Sequence, residues 1–409
     1  MSAPAPRVPL VEHRADVEAL LAPLLRTERH RLEAGLVGRV AAAERRARVD
    51  VPSADNSQMD GFAVASTDLL PAGKETALPV GAPIPAGAAP STLEAGRVRP
   101  IMTGAPLPAG ADLVIPIEEA VDGGFDAPRV TLRPLDVTPG RYVRARGSDC
   151  RAADTVLRAG DELTPARIAQ LASVGIGDVD LVEPVATVVL STGSEVADPA
   201  GPLPAGGAYD ANGPGLAAAL TAAGADVLST DRVPDDPDAL LDLLAAHARA
   251  GAQLVVTSGG VSEGAYEVVK LAASRPGVDL TFCKVAMQPG GPQGLGTVTL
   301  DGHRLAWLAF PGNPVSALLS CELFARPALH APARRRLRLP VRLEHPESSP
   351  PALEQYRRAY VLASGSVRLA GGPSSHLLGA LATATALVVV PVGTDRVEDG
   401  DVLETILLT

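Results

Sequence analysis

Val185-Ala186-Thr187-Val188-Val189-Leu190 runs directly into Ser191-Thr192-Gly193-Ser194-Glu195, and Gln253-Leu254-Val255-Val256-Thr257 runs likewise into Ser258-Gly259-Gly260-Val261-Ser262. Neither apolar run alternates with polar residues, so each reads as a strand buried on both faces. Helical stretches surround them. Asn212–Ala223 stops at Gly224, Asp236–Ala250 stops at Gly251, and Gly264–Ala273 and Pro314–Leu329 follow. A short strand at Asp226–Ser229 and another at Leu305–Phe310 complete the alternation. Strands buried between helices predict a doubly wound α/β domain over residues 184–330.

The texture differs on either side of this domain. From Val11 to Arg48 the chain is rich in Ala, Leu, Arg and Glu with helical spacing, as in Val17, Leu20, Leu21 and Leu24. Thr164–Gly175 is a second helix, with Thr164 as N-cap, Pro165 in the first turn and Gly175 as stop. Residues 10–50 and 148–183 are therefore expected to form a small helical domain. Between them, residues 51–147 carry Pro and Gly every few positions around short β-type runs, and read as an inserted all-β domain. Residues 337–409 return to short strands with Gly/Pro turns, a C-terminal β domain reached through the Arg334–Arg338 stretch as a solvated linker.

Composition narrows the function. The 409 residues include 40 Gly and 38 Pro, yet 46% are hydrophobic, so folded cores with many turns are expected rather than disorder. Aromatics are only 3%, which leaves Ala, Val and Leu to fill those cores. A net charge of −11 argues against a nucleic-acid groove. Three distant cysteines offer no zinc spacing and suit a reducing cytoplasm. The best apolar run, Leu381–Val392, is too short to span a bilayer, so no membrane insertion is expected.

In doubly wound sheets, ligands sit beyond the carboxyl ends of the strands. Both strand ends quoted above carry glycines and hydroxyls, and the backbone N–H groups of such loops can hold a phosphate. Glu195, Asp235 and Glu267 follow strands of the same domain, while Asp60 and Asp149 belong to the β insert and its exit. Oxygen donors without Cys or His suit Mg²⁺ bridged to substrate phosphates. Phe310-Pro311-Gly312-Asn313-Pro314-Val315-Ser316 brackets Gly-Asn between two prolines, a stiff wall for a planar, pterin-sized ligand. Gly260-Val261-Ser262-Glu263-Gly264 matches the G-x-S-x-G nucleophile elbow, but no HGGG-type oxyanion segment precedes it, and the hydrolase reading is set aside.

Five segments together carry a resemblance. Asp55–Val64 (DNSQMDGFAV) resembles the DNSxMDGYAV segment of molybdopterin molybdotransferases, the molybdenum insertases related to the gephyrin E domain. Arg99–Pro106, with Met102-Thr103-Gly104-Ala105-Pro106, is similar to the family's RIMTGAP motif, Thr192–Glu195 to its TGDEL loop, Thr257–Ser262 to TSGGVS, and Phe310–Ser316 to LPGNPVS. The resemblance covers about Val11 to Thr409. It implies a four-domain homodimer, with a C-terminal β barrel, that inserts molybdate into adenylylated molybdopterin and releases AMP with Mg²⁺.

By that resemblance Asp60, Thr103, Asp149, Glu195 and Asp235 are catalytic candidates, and Glu195, Asp235 and Glu267 would hold the metal. Thr192, Gly193, Ser258, Gly259, Gly260 and Ser262 would cradle the pterin phosphate, and Pro311, Asn313, Pro314 and Ser316 the pterin. Lys284, Gln288, Arg358 and Ser375 would contact the anions. One departure stands out. The family's KxxxKPGKP run is here Lys284-Val285-Ala286-Met287-Gln288-Pro289-Gly290-Gly291-Pro292, so Gln288 and Gly291 replace two lysines. A weakened anion pocket leaves room for an alternative, a gephyrin-like dimeric scaffold that binds partner peptides.

Overall fold

Alternate residues of the central strands face opposite sides, and both sides are apolar. Val188 and Leu190 pack with Leu240 and Leu244, while Val189 packs with Leu216 and Leu220. That two-sided burial is why the runs lack a polar face. The computed structural model describes residues 6–261 and 267–408. Its chain divides into two compact units, Met1–Glu28 with Leu181–Thr409, and Arg29–Asp180.

The first unit opens with helix α1 (Leu10–Leu21). Its α/β part runs β1 (Ala186–Thr192), α2 (Asn212–Ala222), β2 (Asp226–Val233), α3 (Pro237–Arg249), β3 (Leu254–Ser258) and α4 (Val268–Ala272). It continues through β4 (Val278–Lys284), β5 (Pro292–Leu300), β6 (His303–Phe310) and α5 (Pro314–Ser320). Sheet order is β2-β1-β3-β6-β5-β4. The first four strands are parallel, whereas β5 and β4 are added antiparallel. The doubly wound reading holds, with this antiparallel extension as the unforeseen part. In place of one helix from Pro314 to Leu329, α5 passes into a π turn at Cys321–Ala325 and then a short helix at Arg326–Ala328.

Five C-terminal strands close on themselves: β7 (Arg336–Arg342), β8 (Glu354–Val361), β9 (Val367–Leu369), β10 (Ala386–Val390) and β11 (Val402–Leu407). Pairing runs β8-β9-β7-β11-β10 and returns from β10 to β8, which makes a barrel without a free edge. Val341, Ala359, Val367, Val388 and Val390 fill it. Part of the expected arginine linker is therefore strand: Arg336 and Arg338 pair with β11, and Arg334 bonds Glu322 and the Leu408 carbonyl.

The second unit holds two three-stranded antiparallel sheets. Gly61–Val64 lies between Arg99–Ile101 and Leu113–Pro116, and Arg129–Leu132 lies between Thr76–Pro79 and Ala120–Asp122. Phe62, Leu113, Ile115 and Leu132 form their core. Pro165–Ser173 is a helix whose Thr164 Oγ1 accepts from the Arg167 N–H. The helical spacing read through Arg48 ends early. Pro23 sits just past α1, which gives way to a 3₁₀ turn at Ala22–Leu24 and a strand at Thr27–Arg31.

Trp307, the single tryptophan, is fully buried on β6 and donates its Nε1–H to Thr257 Oγ1 at 3.0 Å. Thr257→Val keeps the shape but strands that indole N–H. A loss of about 1–3 kcal/mol is expected from urea unfolding followed by Trp307 fluorescence. An unchanged midpoint would show that the bond contributes nothing.

Candidate functional site

Register brings the strand ends level. Ser191 on β1 pairs with Ser258 on β3, and Ser258 pairs with Phe310 on β6. The loops that follow these three strands must therefore meet. They line a cavity of about 970 Å³, together with Asp235 after β2, the 287–292 turn and the loop 373–375. Thr192, Gly193, Glu195, Asp235, Ser258, Gly259, Gly260 and Glu267 all reach it, as do Gln288, Pro311, Asn313, Pro314, Ser316 and Ser375.

Contacts among these loops are close. Thr192 Oγ1 donates to the Ser258 carbonyl at 3.3 Å, and Ser258 Oγ donates to the Pro311 carbonyl at 3.1 Å. Gly259 has φ +99, and a Cβ there would lie 2.6 Å from Thr192 Oγ1. A Cβ on Gly312 would in turn stand 3.3 Å from the Gly259 Cα. Glycine at 259 is thus required by space as well as by backbone conformation.

One of the acids, Asp235, is held by reciprocal local bonds. Asp235 Oδ2 accepts from the Ser194 N–H at 3.1 Å, and the Asp235 N–H donates back to Ser194 Oγ at 3.2 Å. Glu195 is exposed, its carboxylate folded over Gly193, where a Cβ would lie 2.6 Å from Oε2. The ligand atoms of Glu195, Asp235 and Glu267 are not gathered within 4.8 Å of one another. The three acids therefore form no preassembled cation site, and a Mg²⁺ held by any of them would take its remaining ligands from water and substrate phosphates.

Several wall residues lie outside the sequence reading. Asp210 is buried, and its Oδ1 accepts from Ser191 Oγ and the Gly213 N–H, both at 2.8 Å. Asn212 Nδ2 donates to the Gly312 carbonyl at 2.7 Å. The side-chain oxygens of Asn212 and Asn313 are both buried without a hydrogen-bond partner. Arg7 also lines the cavity, from the N-terminal segment. The polar cluster Tyr209-Asp210-Ala211-Asn212 just before a helix was the available signal for the first two.

Two expected anion contacts fall elsewhere. Lys284 ends β4 and is not among the residues lining the cavity. Arg358 is buried on β8, and its guanidinium donates to the carbonyls of Gly372 and Ser374. Burial, and secondarily the neighbouring Arg357, lowers its pKa. Arg358 braces the loop that carries Ser375 instead of lining the cavity. Ser262 lies outside the described residues, as does the start of the helix expected at Gly264. Within the described part, α4 begins only at Val268.

Asp60, Thr103 and Asp149 belong to the Arg29–Asp180 unit. Asp60 Oδ1 accepts from the Thr103 N–H at 2.7 Å and from Thr103 Oγ1 at 2.8 Å. These bonds, the backbone one first, hold the Asp60 carboxyl below its ordinary range. Asp149 is exposed, and its N–H donates to the Val51 carbonyl at 3.0 Å.

Known proteins resemble the chain along nearly its whole length. Residues 8–175 match the family described as "MoeA N-terminal region (domain I and II)", 188–331 the "Probable molybdopterin binding domain", and 340–408 the "MoeA C-terminal region (domain IV)". Molybdopterin molybdenumtransferase 2 of Mycobacterium tuberculosis is 41% identical over 374 residues, 88% of this chain and 89% of that protein. The molybdopterin molybdenumtransferase of Synechococcus elongatus is 32% identical over 407 residues, 97% of this chain and 99% of its own. A crystal structure of a molybdopterin biosynthesis MoeA protein from Pyrococcus horikosii superposes with a TM-score of 0.76 at 25% identity, covering 99% of this chain and 100% of that one.

Two predictions follow from the site geometry. Gly259→Ala should lower stability by at least about 1 kcal/mol more than Gly224→Ala, measured by chemical unfolding. Gly224 also has positive φ, but nothing lies within 4 Å of its Cβ position, so it isolates the clash. Equal losses would remove the close-approach argument. For Asp60, NMR titration should place the carboxyl below the ordinary Asp value of about 3.9. Thr103→Ala should raise it only partway, because the dominant backbone bond survives. Because the folded value is depressed, the associated stabilisation is present above the unfolded pKa and is lost as pH falls through the folded one. Full return to the ordinary value in Thr103→Ala would contradict the backbone's leading role.

Proposed function

The chain belongs to the molybdopterin molybdenumtransferase family and is a transferase of molybdenum cofactor biosynthesis; on that premise we propose that it inserts molybdate into adenylylated molybdopterin, releasing AMP in a Mg²⁺-dependent reaction. The observation that carries this reading is the convergence of three glycine- and hydroxyl-bearing loops, after β1, β3 and β6, on one cavity that Asn212, Asn313 and Pro314 also line. Such loops at the ends of parallel strands are where a doubly wound sheet receives a phosphate-bearing ligand, and the stiff Pro311–Pro314 turn walls it.

Each wall then has a task. Asn212 and Asn313 flank the ring, and since the Gly259 N–H is taken by the Phe310 carbonyl at 3.0 Å, Gly260 is the glycine of this loop whose N–H receives the pterin phosphate. Glu195, Asp235 and Glu267 would hold Mg²⁺, which when bound offsets phosphate charge during cleavage of the phosphoanhydride. That cleavage adds water across the P–O–P link and frees AMP. Gln288 Oε1 accepts from Gln355 Nε2 at 2.8 Å, so its own amide N–H₂ serves as a neutral donor to an oxyanion. Arg358 acts as a positioning residue, fixing the backbone that presents Ser374 and Ser375 to the cavity.

We further propose that the protein works as a homodimer in the cytoplasm, with Asp60, Thr103 and Asp149 acting in the assembled enzyme. The test supplies purified protein with adenylylated molybdopterin, Mg²⁺ and molybdate. Release of AMP and activation of an apo-molybdoenzyme support the reading. No AMP release would favour the scaffold that binds partner peptides. Glu195→Gln should keep the fold, since the side chain is exposed, while AMP release falls about 10–100-fold. Near-normal turnover would remove Glu195 from the metal set.

A further inference from the structure

We infer that Arg7 is the anion-contacting side chain of the strand-end cavity, holding an oxyanion of the reactants against the 285–291 turn. The inference rests on the proposed reading of the cavity as a site for anionic reactants. An arginine near a chain end is ordinarily a solvated surface charge. This one is anchored. The Val8 N–H donates to the Lys284 carbonyl and the Ala286 N–H donates to the Val8 carbonyl, both at 2.8 Å, so the N-terminal segment adds a parallel bridge at Val285. The backbone next to Arg7 is therefore fixed on the turn before α1 begins.

The side chain, though the residue is exposed, is tethered to the turn as well. Arg7 Nη1 donates to the Val285 carbonyl at 3.2 Å. A Cβ on Gly291 would lie 3.1 Å from that same Nη1, so the guanidinium lies directly over residue 291 and would have to give by a few tenths of an ångström to admit a side chain there. Gly291 itself is buried, and its carbonyl accepts from the Val285 N–H at 2.7 Å, which closes the turn beneath the guanidinium. One N–H group is engaged with Val285; the remaining donors of the fork are available to an oxyanion.

Charge balance makes this position consequential. Among the described residues lining the cavity, Arg7 is the one basic side chain, set against Glu195, Asp210, Asp235 and Glu267. A cavity walled by acids alone repels the phosphates and molybdate it has to admit. Guanidinium stays protonated at every working pH, so its attraction is constant. Two oxyanions share this chemistry: free molybdate, and the phosphate groups of the adenylylated pterin.

The experiment titrates full-length protein by calorimetry with sodium molybdate in one arm and inorganic pyrophosphate in the other, at fixed ionic strength. Arg7→Ala should weaken at least one of them about tenfold, equivalent to about 1.4 kcal/mol. Weakening confined to the molybdate arm names molybdate as the partner; weakening confined to pyrophosphate names the substrate phosphates. Arg7→Lys should retain most of the affinity. Gly291→Lys placed in the Arg7→Ala background should restore it, because the truncation frees the space over residue 291, and no left-handed φ bars a side chain there. Unchanged affinity for both anions in Arg7→Ala, or no anion binding by the wild type, overturns the proposal. A loss that neither lysine repairs overturns the charge role. Normal, Arg7-dependent anion binding without AMP release would instead overturn the proposed reaction and leave this assignment standing.

Discussion

Three parallel strands end level with one another, and the site depends on that register. Ser191, Ser258 and Phe310 are hydrogen-bonded neighbours on β1, β3 and β6. A two-residue slip of any one strand would preserve its buried faces but withdraw its loop from the cavity. Close approach then locks the loops. Gly259 lies against Thr192 on one side and Gly312 on the other, and hydrogen bonds from Thr192 and Ser258 tie the same three segments together. The cavity is built by backbones in near contact, which leaves side chains free for chemistry.

Its electrostatics are uneven. Acidic groups come from the α/β loops, where they suit a hard cation. Positive charge comes from outside the α/β domain, through Arg7 on the N-terminal segment. The barrel adds to this indirectly. Met287 and Gln288 pair with Glu354 and Gln355 of β8, so the turn that faces Arg7 is also strapped to the barrel. Arg358, on the same strand, braces the loop carrying Ser375. The barrel's contribution is support for two cavity walls.

The centre of the α/β sheet was legible in the sequence because β1, β3 and β6 are buried on both faces and read as unbroken apolar runs. Antiparallel β4 and β5 escaped notice. Val278–Lys284 is only partly buried, and Pro292–Leu300 carries Gly294 and Gly296, which weaken any strand signal. Helical spacing was over-read beyond Leu21, since charged residues at Thr27–Arg31 satisfy helix propensity while the chain makes an exposed strand. At the site, the glycine and hydroxyl loops legible at the ends of β1 and β3 line the cavity. Motif position points to Lys284 and Arg358, but it says nothing of where a side chain ends up. The missing cations at Gln288 and Gly291 were visible in the sequence. Their stand-in was not, because Arg7 reaches the turn only through the bridge of Val8 to Val285.

The central claim is that one cavity at the ends of β1, β3 and β6 takes the pterin substrate. Hydrogen–deuterium exchange with and without adenylylated molybdopterin tests it most directly, since the backbones of these loops are the proposed binding groups. Slower exchange at residues 192–195, 258–261 and 312–316 together is the result the account predicts. Exchange unchanged in all three loops, at substrate concentrations where binding is otherwise detected, would contradict it.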